Sequence, residues 1–449
     1  MEIAMMKMRN LALIILLFMF IIPSVQQLGS NHTSTDIELS KTYTESYVHH
    51  DAIWIQSDAE FHSQATLESW DGEGTEESPY VITGYLFDCE TQPLRIWHTT
   101  IHWIFTGNEI FGVGSNIQCG TWIENVTNGA IVDNEVHNRH SGLAIAEVEN
   151  FVVSDNYIHD CWGRGIEFFG AMNSTIINDN VLENIGQEGI YSVASRDCII
   201  THNTISGCAQ GGITLIGQTP KCTISQNEVS DCEGSGILIS GLTDGEVNDN
   251  IITLVGSHGI YLSGLINCES SGNIVTDAVR SGMKIAAAQF CDISENTIDN
   301  CNEDGLLLTS GTNTTVEWNS VSNVTGYGIN LGSSSTFFSV RYNAFINTSA
   351  TSQVNDDGTS NLISHNYYDD WNYPDTDGNG YVDSPYVFDG EAANQDEFPL
   401  AIMGVIPSTE TQSSTTNSSS NPLPMDLILI AGGIGAIIII AALLMIKRR

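Results

Sequence analysis

An asparagine that recurs at a nearly constant interval is the feature that most constrains what this chain can fold into. Eleven asparagines stand 22–24 residues apart, and each is followed two residues later by an apolar or aromatic residue. A repeat of this length indicates a stack of similar units rather than a single globular core. We call the series the asparagine ladder, and its members are Asn134, Asn156, Asn180, Asn203, Asn227, Asn250, Asn273, Asn296, Asn319, Asn343 and Asn366.

Each repeat also has a fixed pattern of apolar residues around its asparagine. Around Asn203, for example, Ile200 lies three residues before, Ile205 two residues after and Gly212 nine residues after. Apolar and polar residues alternate at these places, which is typical of short strands with one buried face. Between residues 30 and 420 we find no convincing helical period. The pattern predicts an all-β fold, a right-handed parallel β-helix of about 12 rungs of roughly 23 residues, where a rung is one complete turn of the coil.

The asparagines and glycines of the repeat have mechanical roles in such a coil. Asparagine tolerates the left-handed backbone region, and stacked asparagine side chains can hydrogen-bond to one another along the coil. The glycine that stands nine residues after eight of the eleven asparagines predicts a turn with positive φ. We therefore interpret the ladder as structural rather than catalytic.

The two ends of the chain indicate a protein that is exported and anchored at the cell surface. Lys7 and Arg9 precede an apolar run, which is typical of a signal peptide, although a retained membrane helix is an alternative. Near the other end, a run of about 20 apolar residues is long enough to span a bilayer, and three basic residues follow it. The predicted organisation is a signal peptide 1–26, N-terminal lead-in 27–69, parallel β-helix 70–365, C-terminal cap 366–402, Ser/Thr/Pro stalk 403–424, transmembrane helix 425–446 and cytoplasmic basic tail 447–449.

The chain is strongly acidic, with a formal net charge of −40 at pH 7. Electrostatic repulsion therefore excludes nucleic acid as a partner. An anionic polysaccharide would also be repelled unless divalent cations bridge it to the protein. Solubility in a salty exterior is a simpler interpretation of the charge.

Ten cysteines occur, and eight of them fall into two columns of the repeat. Four lie five residues after a ladder asparagine and four lie five residues before one: Cys161, Cys208, Cys232 and Cys301, then Cys198, Cys222, Cys268 and Cys291. Several other repeats carry small apolar residues in the first column, so free thiols that fill the core are one interpretation. Rung spacing also permits disulfides, between Cys208 and Cys232 or between Cys198 and Cys222.

Together with two flanking motifs, the repeat resembles a known family. Residues 70–88 (WDGEGTEESPYVITGYLFD) look like an opening strand and cap, and residues 366–400 look like a closing segment with Asn-Tyr-Tyr, Asp-Gly-Asn-Gly and Asp-x-Pro-Tyr elements. The chain resembles NosD-like proteins, whose parallel β-helix repeats are grouped with carbohydrate-binding and sugar-hydrolase domains. The resemblance implies a secreted β-helix but leaves the activity open among binding, lyase, hydrolase, epimerase and copper-maturation roles. The copper role is disfavoured because the sequence has no Met-rich or His-rich tract.

An Asp/Gly-rich loop in the C-terminal cap has the spacing of a calcium site. Asp375, Asp377, Asn379 and Asp383 occupy positions 1, 3, 5 and 9 of a calcium-loop pattern, but position 12 is Tyr386 rather than glutamate. A bound Ca²⁺ would be structural and would hold the cap in place. A hydrophilic turn without metal is the alternative.

One outward-pointing column of the repeat carries candidate catalytic residues. Three residues after the ladder asparagine, successive rungs place His137, His159 and Glu183, and Arg164 and Glu167 could lie around the same end of the rod. Acids, bases and a cation in one place are what an acid/base sugar enzyme needs. Ordinary variation on a solvated sheet face is the alternative.

Outward-pointing aromatic residues provide candidate ligand-binding positions. Tyr191 and Tyr261 are predicted to project from their strands, and Trp162 lies beyond a cluster of aromatic residues in the first rungs. Exposed flat rings stack on the apolar faces of sugars.

The sequence thus predicts a membrane-anchored, extracellular β-helix whose lateral face binds polysaccharide, cell-surface glycans or surface-layer proteins. The alternative is a polysaccharide-processing hydrolase, lyase or epimerase. For a reaction at a sugar carboxylate, the basic candidates are Arg139, Arg164, Arg280 and Lys284.

Overall fold

The computed structural model describes residues 47–112, 118–170, 172–348, 350 and 352–405. Within them the chain winds as a coil of short strands, and successive rungs build three long parallel sheets. The sheets contain 14, 14 and 13 strands, and we call them sheets I, II and III in the order in which the chain meets them. The predicted all-β parallel β-helix is therefore confirmed.

The three sheets share one pattern, in which each strand pairs with its counterparts one rung before and one rung after. Sheet I is formed by Val48–His49, Tyr85–Asp88, Glu109–Phe111, Glu135–His137, Tyr157–Cys161, Val181–Ile185, Thr204–Cys208, Glu228–Cys232, Ile251–Val255, Ile274–Ala278, Thr297–Asp299, Ser320–Ser322, Ala344–Ile346 and Tyr367–Tyr368. Sheet II is formed by Ile53–Ile55, Leu94–Thr99, Thr121–Val126, Leu143–Ala146, Ile166–Phe169, Ile190–Val193, Ile213–Ile216, Ile237–Ser240, Ile260–Ser263, Met283–Ala286, Ala288–Gln289, Leu306–Thr312, Ile329–Thr336 and Val354–Asp356. Sheet III is formed by Tyr80–Thr83, Trp103–Thr106, Gly129–Val132, Val152–Ser154, Ile176–Asn178, Ile199–Thr201, Thr223–Ser225, Glu246–Asn248, Glu269–Ser271, Asp292–Ser294, Thr315–Glu317, Ser339–Arg341 and Leu362–Ser364.

Short pairs of strands lie outside the three long sheets, along the coil and at its C-terminal end. They are Met172–Asn173 with Ser195–Arg196, Thr219–Pro220 with Leu242–Thr243, and Tyr386–Val387 with Gln395–Asp396. The last pair is antiparallel and lies in the C-terminal cap.

The asparagine ladder lies inside the coil and forms a continuous chain of hydrogen bonds. Asn203 is typical: its side-chain amide donates to the Oδ1 atom of Asn227 at 3.0 Å and to the carbonyl of Ile177 at 3.0 Å, and its backbone N–H donates to the same Oδ1 at 3.1 Å. These side chains are buried together with the apolar columns on either side. The predicted stacking of asparagine side chains is therefore observed.

The ladder continues beyond the predicted members at both ends. Asn108 joins it at the N-terminal side, where its side chain donates to Asn134 at 3.1 Å. A spacing of 26 residues hid it from the periodic pattern. At the other end the carboxylate of Asp396 accepts the backbone N–H of Asn366 at 2.9 Å and so takes the place of a further asparagine.

The expected left-handed turns lie at other positions than the sequence predicted. The residue before the ladder asparagine has positive φ, as at Asp155 and Asp179, both with φ of 55°. The repeated glycine is required for a different reason, since its φ is outside the left-handed region. A Cβ atom at Gly212 would lie 2.3 Å from Cγ1 of Val229 and 2.7 Å from the carbonyl oxygen of Gly236 in the next rung.

An α-helix, α1 (Asp58–Glu68), covers the N-terminal end of the coil and was not expected from the sequence. Only Phe61 and Ala65 of this helix are buried, so its apolar pattern is too sparse to indicate a helix. The Phe61 ring stacks on Tyr80 with ring centroids 5.7 Å apart and closes the core. The first strands of sheets I and II lie before α1, so the coil begins before residue 70.

The C-terminal end is closed by aromatic rings of the cap. Tyr386 stacks on Tyr368 at a centroid distance of 3.9 Å, and Trp371 meets Tyr386 edge to face. In the part of the chain that the structure describes, no helix has the length and apolarity needed to cross a bilayer. The predicted signal peptide, transmembrane helix and basic tail, and the stalk from residue 406 on, lie outside the described residues.

Candidate functional site

Two groups of charged and aromatic side chains lie on the outside of the coil near its N-terminal half. The first stands on sheet I, where His137 pairs in register with His159, and His159 with Glu183. Because Val136, Ile158 and Leu182 point into the core, these side chains point outward. We call Glu135, His137, Tyr157, His159, Asp160 and Glu183 the histidine cluster.

The two imidazole rings of the cluster form a parallel stack. The ring centroids of His137 and His159 are 4.8 Å apart with an interplanar angle of 3°. Tyr157 packs against His159 at 4.3 Å, and Phe111 extends the stack beyond His137 at 5.5 Å. The stacking distance is the rung spacing, so the coil itself fixes how close the rings lie.

His159 lies between two carboxylates. Its Nδ1 atom is 2.8 Å from Asp160 and its Nε2 atom is 3.3 Å from Glu135. Burial of the ring opposes protonation, but the hydrogen bonds to Glu135 and Asp160 outweigh it and raise the pKa of His159. The same contact with His159 lowers the pKa of Asp160. The arrangement favours the imidazolium form, which can donate a proton.

Glu183 is held by a tyrosine of the neighbouring strand. Its Oε2 atom accepts a hydrogen bond of 2.8 Å from the hydroxyl of Tyr157 rather than contacting an imidazole. Burial, then this hydrogen bond and the nearby carboxylates, raise the pKa of the Tyr157 phenol. Tyr157 is therefore a neutral hydrogen-bond donor beside His159.

Glu135 is the member of the cluster that sequence reasoning missed. It lies one residue after Asn134, at the other outward position of the same strand. The equivalent residue one rung earlier is Glu109, which contacts Nε2 of His137 at 3.3 Å. A carboxylate at this position in two successive rungs is the signal that could have found it.

Glu135, His137 and His159 could also hold a metal ion, since their ligand atoms lie within 4.8 Å of one another. Two imidazole nitrogens on one tetrahedral zinc ion would be about 3.3 Å apart. The parallel rings are farther apart than this, so one ring would have to turn out of the stack. The observed geometry suits proton transfer better than metal binding.

The second group, which we call the arginine cluster, lies at the corner that leads into sheet II. Nε of Arg164 is 3.0 Å from Glu188, and Nη1 is 3.2 Å from Glu167. The guanidinium stacks on the ring of Tyr191 at 3.5 Å. Burial opposes the charge of Arg164, but the two ion pairs outweigh it and raise its pKa. Both carboxylates are only 8% exposed.

The charged groups of the arginine cluster are thus paired with one another. The cluster lies on a different face of the coil from the histidine cluster. Arg164 and Glu167 bind each other rather than any residue of the histidine cluster, although the sequence grouped them with it. One face of Tyr191 is covered by Arg164, which reduces the ring surface that could meet a sugar. Among the other basic candidates, Arg139 is fully buried and donates to the carbonyls of Cys89 and Thr91, so it cannot contact a substrate.

The remaining aromatic candidates differ in exposure. Trp162 is 56% exposed and, with Asp160 and Asn184, lines a shallow open groove beside the histidine cluster. Tyr261 lies farther along sheet II, and the ammonium of Lys284 lies 4.8 Å from its ring centroid.

The Asp/Gly-rich loop brings its acidic residues together as the spacing indicated. Ligand atoms of Asp375, Asp377 and Asp383 lie within 4.8 Å of one another. Asp375 accepts backbone N–H groups of the loop, and Asn379 donates to Asp377 at 3.0 Å. Tyr386, at position 12 of the pattern, is buried against Tyr368 and is not directed to the loop, so this position supplies no ligand.

Comparison with known proteins agrees with the coil. The sequence matches the family described as the right-handed β-helix region over residues 94–244 and 236–373. The chain belongs to this family. The predicted right-handed coil is thereby confirmed, and the narrower resemblance to NosD-like proteins stays a prediction.

No curated protein matches the chain. Among solved structures, it is similar to the A-module of mannuronan C-5 epimerase AlgE6 from Azotobacter vinelandii, with 15% identity, a TM-score of 0.56 and coverage of 64% of this chain and 90% of that one. The catalytic unit of a GH87 α-1,3-glucanase from Streptomyces thermodiastaticus has 16% identity, a TM-score of 0.47 and coverage of 64% and 62%. The tailspike protein 3 of bacteriophage CBA120 has 14% identity, a TM-score of 0.36 and coverage of 73% and 67%. At 15% identity the likeness to the epimerase module shows the fold alone.

Proposed function

We propose that the protein binds a polysaccharide along the outer face of sheet I and processes it by acid/base chemistry at the histidine cluster. The observation that carries the proposal is His159, an outward-facing imidazole held between Asp160 and Glu135 with a raised pKa. An open lateral face suits a long polymer, because a chain of sugars can lie along the rungs without an enclosed pocket. The fold shared with a mannuronan C-5 epimerase module supports a sugar polymer as the substrate class.

In this proposal His159 exchanges the proton with the sugar, and the residues around it set its state. Asp160 and Glu135 stabilise the imidazolium, so His159 can act as the acid and, after proton transfer, as the base. Tyr157 donates its one hydroxyl proton to Glu183, so its hydroxyl oxygen can accept a hydrogen bond from a sugar hydroxyl beside the reacting atom. His137 limits the movement of His159 by stacking on it. Arg164 and Glu167 are positioning residues that fix the corner between sheets I and II.

The test is an assay of the full-length protein against neutral and acidic polysaccharides, with and without Ca²⁺. Retention on each polymer, new chain ends and the stereochemistry of the recovered sugars are read from the same reactions. New ends indicate a hydrolase or lyase, and changed sugar stereochemistry indicates an epimerase. Bound polymer that is recovered unchanged under all conditions would contradict the processing role.

Binding without turnover is the second candidate function, and exposed Trp162 beside the groove favours it. A flat indole at the edge of a shallow groove is a stacking surface for a sugar ring. In this case the polymer is retained but not altered, and Trp162→Ala weakens retention. Surface glycans and surface-layer proteins are the corresponding partners.

The proposal also includes the location of the protein and the role of its C-terminal cap. Residues 1–26 and 425–446 would export the protein and anchor it by one C-terminal helix, with the coil outside the cell. Ca²⁺ would bind Asp375, Asp377, Asn379 and Asp383 and stiffen the cap rather than take part in the reaction.

A further inference from the structure

Three pairs of cysteines stand on neighbouring rungs inside the coil. The pairs are Cys198 with Cys222, Cys208 with Cys232, and Cys268 with Cys291. In the first pair the two Sγ atoms are 2.8 Å apart. In the other two pairs the strand register places the cysteines on neighbouring rungs, since Ser206 pairs with Ser230 and Glu269 pairs with Asp292.

The parallel register places each pair directly side by side. Ile199 pairs with Thr223, so the preceding residues Cys198 and Cys222 are also neighbours. Parallel rungs are about 4.8 Å apart, and this lies within the Cα separations that disulfides span. Other partners of these thiols are backbone carbonyl oxygens, such as that of Ser230 at 3.4 Å from Cys232 and that of Gln289 at 3.3 Å from Cys291. The chain between the members of a pair is one rung long.

We propose that these three pairs are disulfides that staple successive rungs of the exported protein. Each pair of thiols gives up two protons and two electrons while one S–S bond forms. A thiol–disulfide oxidoreductase outside the cytoplasm receives the electrons, and its own disulfide is reduced to a dithiol. Exchange takes place before the rungs close, because the folded coil buries all six sulfur atoms.

The same column contains two natural controls. Cys161 and Cys301 also lie five residues after a ladder asparagine, but Cys161 pairs in register with Ile185 and Cys301 stands beside Ala278 and Val324. They have the same burial as Cys208 without a cysteine neighbour. They should remain thiols.

The experiment uses the full-length protein, exported and purified without reductant. The protein is unfolded in an alkylating agent, digested and analysed by mass spectrometry. We expect disulfide-linked peptides for the three pairs and alkylated Cys161 and Cys301. Alkylation of all six paired cysteines would overturn the proposal, and links between other partners would do so as well.

A stability measurement on the wild type tests the proposal even where a cysteine variant folds poorly. We expect a reductant to lower the thermal midpoint of the wild type, because opening the cross-links increases the entropy of the unfolded chain. The double variant Cys208→Ala/Cys232→Ala should show a smaller fall of the thermal midpoint on addition of reductant. Cys301→Ala should show the same fall as the wild type. A midpoint that does not respond to reductant in the wild type would count against the disulfides.

A second, independent observation concerns the outer face of sheet II. At two places a cation lies over a tyrosine ring, Arg164 over Tyr191 and Lys284 over Tyr261. At the first place the protein supplies two carboxylates that pair with the cation. Among the described residues Lys284 makes no ion pair, so its charge is open to an external anion.

A histidine next to Lys284 also has unused hydrogen-bonding groups. His258 occupies the column of Arg164, eight residues after its ladder asparagine, and is only 2% exposed. Neither of its ring nitrogens has a partner among the described residues. Burial, and then the positive charges of Arg280 and Lys284, lower the pKa of His258 to about 4. Glu303 pairs with Arg280 at 3.2 Å, so Lys284 is the neighbouring cation that has no ion pair among the described residues.

We infer that Lys284 and Tyr261, with His258 beside them, form a subsite for an acidic sugar. Lys284 would bind the carboxylate or sulfate, and Tyr261 would meet the apolar side of the sugar ring. The inference rests on the proposed function and adds the substrate class, an anionic polysaccharide.

The test compares Lys284→Gln with Lys221→Gln, an exposed lysine on another corner that gives the same change of charge. Retention of the full-length protein is measured on a polyuronate, a sulfated polysaccharide and a neutral polymer at several salt concentrations. We expect Lys284→Gln to weaken binding of an acidic polymer by about tenfold and Lys221→Gln to change it by less than about twofold.

The possible results distinguish a failure of the proposed subsite from a failure of the proposed function. Equal effects of the two substitutions, with the wild type still retained, would overturn the subsite and leave the proposed function standing. Retention of the wild type on the neutral polymer alone would also overturn it. No retention of the wild type on any polymer would overturn both. A difference between polyuronate and sulfated polymer tells which anion Lys284 meets.

Discussion

The asparagine ladder and the histidine stack are two columns of like side chains, one inside the coil and one outside it. Inside, each rung repeats one set of bonds, from the side-chain amide to the next asparagine and to a backbone carbonyl. Outside, His137 meets Glu109 and Asn138, whereas His159 meets Glu135, Asp160 and Tyr157. Both columns take their spacing from the rungs, but only the inner one repeats its partners.

The difference shows where structure and chemistry are encoded in this fold. A bond that recurs in every rung stabilises the stack and cannot distinguish one rung from another. A titratable group that occurs in only two rungs, with different acids beside it, makes one place on the rod chemically distinct. Function should therefore be sought at departures from the repeat on the outer surface.

The largest effect is expected from breaking the inner column. Asn227→Ala removes hydrogen bonds of 2.9 Å to Asn250 and to the carbonyl of Ile200, and it leaves the backbone N–H of Asn203 without its acceptor. Because these groups are buried, we expect a loss of about 3 kcal/mol in the free energy of unfolding. Urea unfolding followed by circular dichroism measures the loss.

The exposed neighbour Glu228 provides the control for this substitution. Glu228→Ala should change the free energy of unfolding by less than about 0.5 kcal/mol. Similar losses for the two variants would mean that the inner column has no special role in stability.

The outer column should be nearly dispensable for the fold and essential for turnover. His159→Gln keeps a hydrogen-bonding side chain but cannot act as an acid, so we expect turnover of a processed polymer to fall about 10²- to 10⁴-fold. Polymer retention should stay close to that of the wild type, and so should the thermal midpoint at pH 9, where the stabilising imidazolium is lost. His202→Gln, at an exposed corner outside the cluster, should behave as the wild type. A loss of retention that parallels the loss of turnover would show that His159 binds rather than reacts.

Tyr157→Phe tests the tyrosine hydroxyl that is bonded to Glu183, and it removes only one oxygen atom from the cluster. The substitution keeps the ring against His159 and removes only the hydroxyl that donates to Glu183. We expect turnover to fall about tenfold, because the variant loses the hydroxyl oxygen that would accept a hydrogen bond from the substrate. Unchanged kcat with a raised KM would instead assign Tyr157 to substrate binding.

The sequence predicted the inner column well because the inner column is periodic. The ladder, the alternating apolar positions and the short strands all follow from one repeat. Asn108 was missed because an irregular spacing interrupts the period, and α1 was missed because only Phe61 and Ala65 face the core. Both exceptions lie at the N-terminal end, where the coil must be closed rather than continued.

The outer column was predicted less completely because a repeat does not specify side-chain partners. Spacing placed His137 and His159 side by side, but it could not show that Glu183 would bind Tyr157 or that Glu135 would bind His159. Spacing also could not show that Arg164 and Glu167 would pair with each other on the sheet II side of the corner. Contacts across a corner depend on side-chain direction and not only on the residue count.

The pH dependence of stability offers a test of the outer column that needs no substrate. The folded state raises the pKa of His159, so its stabilising contribution is present below the unfolded value of about 6.5 and is lost as the pH rises through the folded value. The difference in thermal midpoint between the wild type and His159→Gln should therefore be larger at pH 5 than at pH 9. A difference that is constant over this range would mean that the carboxylates do not favour the imidazolium.

The smallest effect is expected at the Asp/Gly-rich loop, which belongs to neither column. Asp375, Asp377 and Asp383 lie close together, and their mutual repulsion should be relieved by Ca²⁺. Because the cap packs on the last rung through Tyr386, stiffening the loop should raise the thermal midpoint by a few degrees. Asp377→Asn should remove most of this shift and leave turnover unchanged. A calcium-dependent loss of turnover in Asp377→Asn would instead connect the cap to the reaction, and the division between a structural interior and a reactive exterior would then not extend to the end of the coil.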